Sequence, residues 1–132
     1  MEFDISFDGG KKIISTFRGF SVKTDQTVED GGENTAPSPF DLFLSALGTC
    51  AGFYVLSFCD TRHLSTKDAK LTLISDYNEE KGRLETVRID IHLPVDFPEK
   101  YKKALIRTVD QFSVKKAIMN PPEFKIATVS AG

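Results

Sequence analysis

The sequence predicts an α+β fold, and three observations carry the prediction. Apolar and polar residues alternate through the first two dozen positions and again between residues 69 and 93, the two-residue period of half-buried strands. Between these stretches lies a run from Leu42 to Cys59 without one charged side chain. After them, helical spacing of apolar residues takes over from Pro98. The resulting order is ββ(β)αββααβ: antiparallel strands with two main helices.

Phe3, Ile5 and Phe7 alternate with Glu2, Asp4, Ser6 and Asp8, as in a strand with an apolar inner face. Gly9-Gly10 marks a hairpin turn, because glycine supplies the positive φ that tight turns need. Lys11 to Thr16 is the partner strand and Arg18 to Thr24 a third. Asp25 to Ala36 is polar, acidic and Gly-containing, and reads as a long loop. Ser38-Pro39-Phe40-Asp41 is a helix start: Ser38 caps, Pro39 fits the first helical position, and Asp41 reaches back three residues. The uncharged helix that follows is long enough to raise the question of a membrane span. Ser45, Thr49, Ser57, Gly48 and Gly52 within it, and amphipathic strands around it, favour a central helix buried on most sides. Gly48 and Gly52, four apart, are expected to admit another backbone closely.

The helix stops near Asp60 to His63. Ala69 to Tyr77 and Glu85 to Leu93 form a second hairpin, with Val87, Ile89, Ile91 and Leu93 pointing inward. Pro98 opens a helix that presents Tyr101, Ala104, Leu105, Val109 and Phe112 on one face and Lys100, Lys102, Lys103 and Arg107 on the other. Ser113 reads as the N-cap of a short helix through Met119, Pro121-Pro122 breaks it, and Phe124 to Ser130 reads as a final strand. The 132 residues carry no repeat or linker and are expected to form a single domain, residues 1–132. One sheet and one amphipathic helix give little cover to so apolar a central helix, so a homodimer is expected.

Composition excludes several classes. Seventeen Lys and Arg against nineteen Asp and Glu leave a net charge of −2, so no nucleic-acid partner is expected. Two cysteines make neither a disulfide framework nor a four-ligand zinc site. The opening Met-Glu-Phe-Asp-Ile lacks a signal-peptide pattern, so a cytoplasmic protein with free thiols, and no membrane partner, is expected. Cys59 and His63, with Asp60 between them, are too few for a metal site, and neither a metal nor another cofactor is expected.

The chemistry-bearing segments are Pro37-Ser38-Pro39-Phe40-Asp41-Leu42-Phe43, Leu47-Gly48-Thr49-Cys50 and Asp110-Gln111-Phe112-Ser113-Val114-Lys115-Lys116. In these, and in element order over nearly the whole chain, the sequence resembles the OsmC-like family, which includes organic hydroperoxide reductases. The resemblance implies antiparallel sheets packed around a buried central helix in an intertwined homodimer. It implies that Cys50 is the peroxidatic thiol and that Asp41 is the carboxylate that supports it. The family's second, resolving cysteine falls at Phe112, next to Ser113, and is therefore missing; the arginine that precedes the helix in the family has no match in Val28 to Ala36. Two readings follow. In one, Cys50 reduces a small organic hydroperoxide with an external thiol as reductant, in a stress response. In the other, the fold is a non-catalytic dimer that is structural or binds an apolar small molecule. Cys59 cannot replace the resolver within the chain. Nine residues along one helix put it on the opposite face from Cys50 and about 13 Å away along the axis, beyond the roughly 7 Å reach of a disulfide. Arg18, Arg62, Arg88, Arg107, Lys115 and Lys116 are candidate cations for a Cys50 thiolate.

Overall fold

The structure is a computed structural model, and residues 1–130 are described. The chain forms two compact units, Met1–Ala46 and a second from Leu47 onward.

The first unit is a three-stranded antiparallel sheet, β1 (Asp4–Phe7), β2 (Ile13–Phe17) and β3 (Phe20–Thr24), in the order β1-β2-β3. Ile5 pairs with Ser15 and Ser15 with Val22; Phe7 pairs with Ile13 and Ile13 with Thr24. This register puts the apolar residues of all three strands, Ile14 excepted, on one face. The alternation is as expected, but the burial is not: Phe3, Ile5, Phe7 and Phe20 are all exposed, Phe7 to 86%. A three-stranded sheet has two faces and covers neither by itself. Arg18 and Gly19 belong to the turn between β2 and β3 rather than to the third strand. Both have positive φ (45° and 82°), which matches the right-handed twist of the strands they join.

Residues 25–36 are an ordered loop built on Asp25, which is 1% exposed. Its carboxylate accepts hydrogen bonds from the backbone N–H of Gln26, Glu33 and Thr35 and from the Thr35 hydroxyl. These donors, the Thr35 hydroxyl first, hold its pKa down at about 2. Gly32 is required here, because a Cβ would lie 2.2 Å from the Gln26 carbonyl oxygen.

The long helix α1 (Pro39–Thr61) starts in the first unit and continues in the second. Its length and apolar composition are those of a membrane span, yet part of it is core helix. Leu47, Ala51, Val55, Phe58 and Cys59 are buried as one stripe, the i, i+4, i+8 spacing of a helix face. Within one chain the other side of the helix is left open: Phe53 is 62% and Leu56 41% exposed. A single chain this size has too few elements to wrap the whole circumference.

The second unit completes the fold with the hairpin β4 (Lys70–Asn78) and β5 (Arg83–His92), then α2 (Lys102–Val109) and α3 (Ser113–Met119). Leu71 faces Ile91 and Leu73 faces Ile89 across the hairpin, until a bulge at Asp76/Tyr77 shifts the register. The Leu73 side chain lies opposite Gly48, 3.7 Å from where a Cβ would stand. Gly48 thus meets a side chain and Gly52 open space, and no second backbone comes close to either among the described residues. The edge of the Tyr101 ring meets Phe58, with centroids 6.1 Å apart. Leu105 and Val109 of α2 are buried.

Two further expectations are corrected at the C-terminal end. The second helix ends at Val109, not Phe112, through a turn in which Phe112 N–H donates to the Val109 carbonyl. Residues 124–130 alternate like a strand but pair with no strand among the described residues, leaving Phe124 81% and Ile126 97% exposed. Alternation supplies a face, but a strand also needs an edge to bond to.

Candidate functional site

Ser38 and Asp41 form the capping box that the sequence predicts. Ser38 N–H donates to Asp41 Oδ2 at 3.0 Å, and Asp41 N–H donates to Ser38 Oγ at 3.1 Å. The carboxylate of Asp41 is thereby engaged with the start of α1, inside the first unit.

Cys50 lies in the second unit, nine residues or two and a half turns further along α1, as a free and half-buried thiol. At about 100° per residue, the buried stripe Leu47, Ala51, Val55 and Phe58 lies to one side of it, and exposed Phe53 and Leu56 to the other. Cys50 therefore sits at the margin between core and surface. Cys59 occupies the opposite face and is 1% exposed. Burial pushes its thiol pKa up, the Asp60 charge adds to this, and Arg62 opposes it. The two cysteines are free, as the helical spacing requires.

Of the other two predicted site residues, Phe112 is buried and Ser113 does not take the capping position expected of it. Phe112 is the N-cap of α3, with extended backbone (φ −64°, ψ 144°) and no side-chain cap bond, and its ring is buried. Ser113 is the first helical residue, so its hydroxyl is not used as a cap. It is instead hydrogen-bonded to the hydroxyl of Tyr54 at 2.8 Å. Tyr54 follows Cys50 by four positions, one turn away and about 40° round the helix. The contact thus brings the 112–113 segment to the side of α1 that carries Cys50, although more than fifty residues separate them. Tyr54 is the residue that reading the sequence missed. Its i, i+4 spacing from Cys50 was visible, but its partner on α3 was not.

Several candidate cations are engaged elsewhere. The Arg62 guanidinium lies 3.6 Å from the centre of the Phe58 ring and donates to the Phe58 carbonyl, fastening the end of α1. Lys115 bonds the Asp110 carboxylate and carbonyl, which closes the turn between α2 and α3. Arg88 pairs with Asp90 at 3.2 Å, and Arg18 lies over Phe17 and Phe20 in the first unit. His63 takes a left-handed conformation (φ 56°) where α1 stops, as Leu64 N–H returns to the Cys59 carbonyl. His92 shares a hydrogen bond with Thr72 on the neighbouring strand at 3.0 Å. No group of three His, Cys, Asp or Glu arranged for a metal occurs among the described residues.

Comparison with known proteins matches residues 31–127 to the profile of the OsmC-like protein family. Protein YhfA of Escherichia coli K12 is 33% identical over 96 residues, covering 72% of this chain and 71% of its own. Two of the solved structures that share the fold serve as examples. One is described as an osmotic stress induced and detoxification response protein of Psychrobacter arcticus (TM-score 0.76, 18% identity, 87% of this chain and 85% of that one). The other is an organic hydroperoxide resistance protein OsmC of Legionella pneumophila (TM-score 0.61, 21% identity, 89% of each chain).

Proposed function

We propose a function on one premise: the chain belongs to the OsmC-like protein family. Structural neighbours include proteins named for organic hydroperoxide resistance. We infer that this chain is a cytoplasmic, single-cysteine thiol peroxidase, with Cys50 as the nucleophile and a small organic hydroperoxide as substrate.

In this reading the Cys50 thiolate attacks the distal oxygen of the hydroperoxide. An S–O bond forms, the O–O bond breaks, and the alkoxide leaves as an alcohol once protonated; sulfur is oxidised by two electrons to a sulfenic acid. One external monothiol then condenses with the sulfenic acid and releases water. A second attacks the mixed disulfide, freeing Cys50 and leaving the reductant as its own disulfide. The observation that carries the reading is the position of Cys50. Its thiol is half-buried at the border of the core, where a small molecule can reach it, whereas a fully buried thiol is inert. Asp41 supports the thiol by fixing the start of the helix that carries it.

The same reading makes the working protein a homodimer. Phe3, Ile5, Phe7 and Phe20 on one sheet face, and Phe53 and Leu56 on α1, are an amount of exposed apolar surface that a monomer rarely leaves uncovered. Light scattering on a size-exclusion column should give twice the chain mass at micromolar concentration; a stable monomer would reject this part.

A second reading, a dimer that binds an apolar small molecule without turnover, is favoured by one observation. The position of the resolving cysteine holds the buried ring of Phe112, which supplies apolar volume in place of a thiol. The variant Phe112→Cys decides between them. If the 112 position faces Cys50, oxidation with an organic hydroperoxide gives a 50–112 disulfide, which needs Cβ atoms within about 4.5 Å. Pairing together with peroxide consumption supports the enzyme. Pairing without consumption supports the binding dimer, and no pairing removes the basis for placing the two positions in one site.

A further inference from the structure

We propose that Tyr54 is the catalytic acid of the Cys50 reaction, donating its hydroxyl proton to the departing alkoxide, with Ser113 as the positioning residue that aims it. This rests on the peroxidase reading above and adds the proton donor that the reading leaves unassigned.

Side chains on an α-helix lean toward its N-terminus, so a residue at i+4 covers the turn that begins at i. The ring of Tyr54 therefore leans toward Cys50. Exposed Phe53 lies edge-on to it, with ring centroids 6.4 Å apart, and Val55 is buried behind it. Of the residues three and four positions from Cys50 on this helix, Ala46, Leu47, Phe53 and Tyr54, only Tyr54 carries a hydroxyl. That hydroxyl is held by the 2.8 Å bond to Ser113 Oγ, and Ser113 is fixed because α3 starts at this residue and Phe112 anchors the turn before it.

The chemistry needs such a donor. Breaking the O–O bond of an alkyl hydroperoxide expels an alkoxide, a far stronger base than phenolate, so a phenol hydroxyl gives up its proton to it downhill. The Tyr54 O–H bond breaks as the alcohol O–H bond forms. The phenolate left behind accepts a hydrogen bond from the Ser113 hydroxyl and regains its proton from water. The proton released when Cys50 ionises balances this, so thiol plus hydroperoxide gives sulfenic acid plus alcohol. A hydroxyl serving only to tie α3 to α1 would have no such dependence on the leaving group.

The test measures single-turnover oxidation of Cys50, by quenching with an alkylating agent and mapping the Cys50 peptide by mass. The oxidants are tert-butyl hydroperoxide, whose alkoxide needs a proton, and peroxyacetic acid, whose acetate does not. Tyr54→Phe keeps the ring and removes the hydroxyl. It should slow oxidation by tert-butyl hydroperoxide about 100-fold, the usual scale of general-acid catalysis, and oxidation by peroxyacetic acid only a few-fold. Ser113→Ala should show the same preference with a smaller loss, and carries the test if Tyr54→Phe does not fold. Equal losses with both oxidants, or none with either, would overturn the role of Tyr54. A wild-type Cys50 that neither oxidant modifies would instead overturn the peroxidase reading, and this proposal with it.

Discussion

Cys50 and Cys59 stand on the same helix nine residues apart, and their surroundings differ in every respect that matters to a thiol. Cys59 belongs to the stripe that α1 buries, and Arg62 and Phe58 close the helix end beside it. Burial keeps it protonated and inert. Cys50, half a turn round, stands where that stripe meets the surface, with the hydroxyl of Tyr54 one turn on. The residue type is the same, so what separates a packing group from a candidate nucleophile is its angle on the helix. A thiol 180° from the core stripe would be fully solvated, and one at its centre would be sealed.

The largest expected effect tests that contrast directly. Cys50→Ser should reduce peroxide consumption to the uncatalysed rate, whereas Cys59→Ala should keep turnover and cost about 1 kcal/mol of stability through the small cavity it opens. Coupled assays with a monothiol reductant, and denaturant melts of the same variants, measure both. Equal loss of turnover in the two variants would break the comparison.

The two sides of α1 should also differ in stability. Val55→Ala, on the buried stripe, should cost about 2–3 kcal/mol in urea unfolding. Leu56→Ala, on the exposed side, should cost less than about 0.5 kcal/mol per folded chain while weakening self-association, read by light scattering on dilution. At the start of the same helix, Ser38→Ala should cost about 1 kcal/mol, because it leaves the Asp41 N–H without its cap.

The smallest effect is the pH dependence of Cys59. Its folded pKa is raised, so the stability it contributes is complete below the pKa of an unfolded thiol, about 8.5, and falls as pH rises from there toward the folded value. Cys59→Ala should therefore flatten the alkaline side of the stability profile. Asp25 has the opposite sign: its pKa is depressed to about 2, so its contribution is present above the ordinary carboxylate range and is lost as pH falls through about 2. Asp25→Asn should remove that acid transition and lower the melting temperature at neutral pH.

What the residues disclosed by themselves follows a physical division. Local signals decide some elements: Ser38-Pro39-Phe40-Asp41 gives the capping box, and the alternation of Val87, Ile89 and Ile91 gives β5. The α+β class and the family were likewise available from patterns within segments. Errors arose where a second partner decides the outcome. Phe124 to Ser130 has the pattern of a strand and pairs with no strand among the described residues. The hydroxyl of Ser113 had a cap to make by local rules, but the buried ring of Phe112 took the cap position and left that hydroxyl for Tyr54. The apolar face of β1 was clear in sequence, but its exposure depends on what stands opposite.

The most direct test of the account is peptide mapping after the protein meets one equivalent of an organic hydroperoxide. The prediction is one added oxygen on the peptide containing Cys50, captured as a sulfenic-acid adduct, with Cys59 recovered as a free thiol. An unmodified Cys50, oxygen on Cys59 instead, or a disulfide joining the two within one chain would contradict the assignment of Cys50 as the reactive thiol.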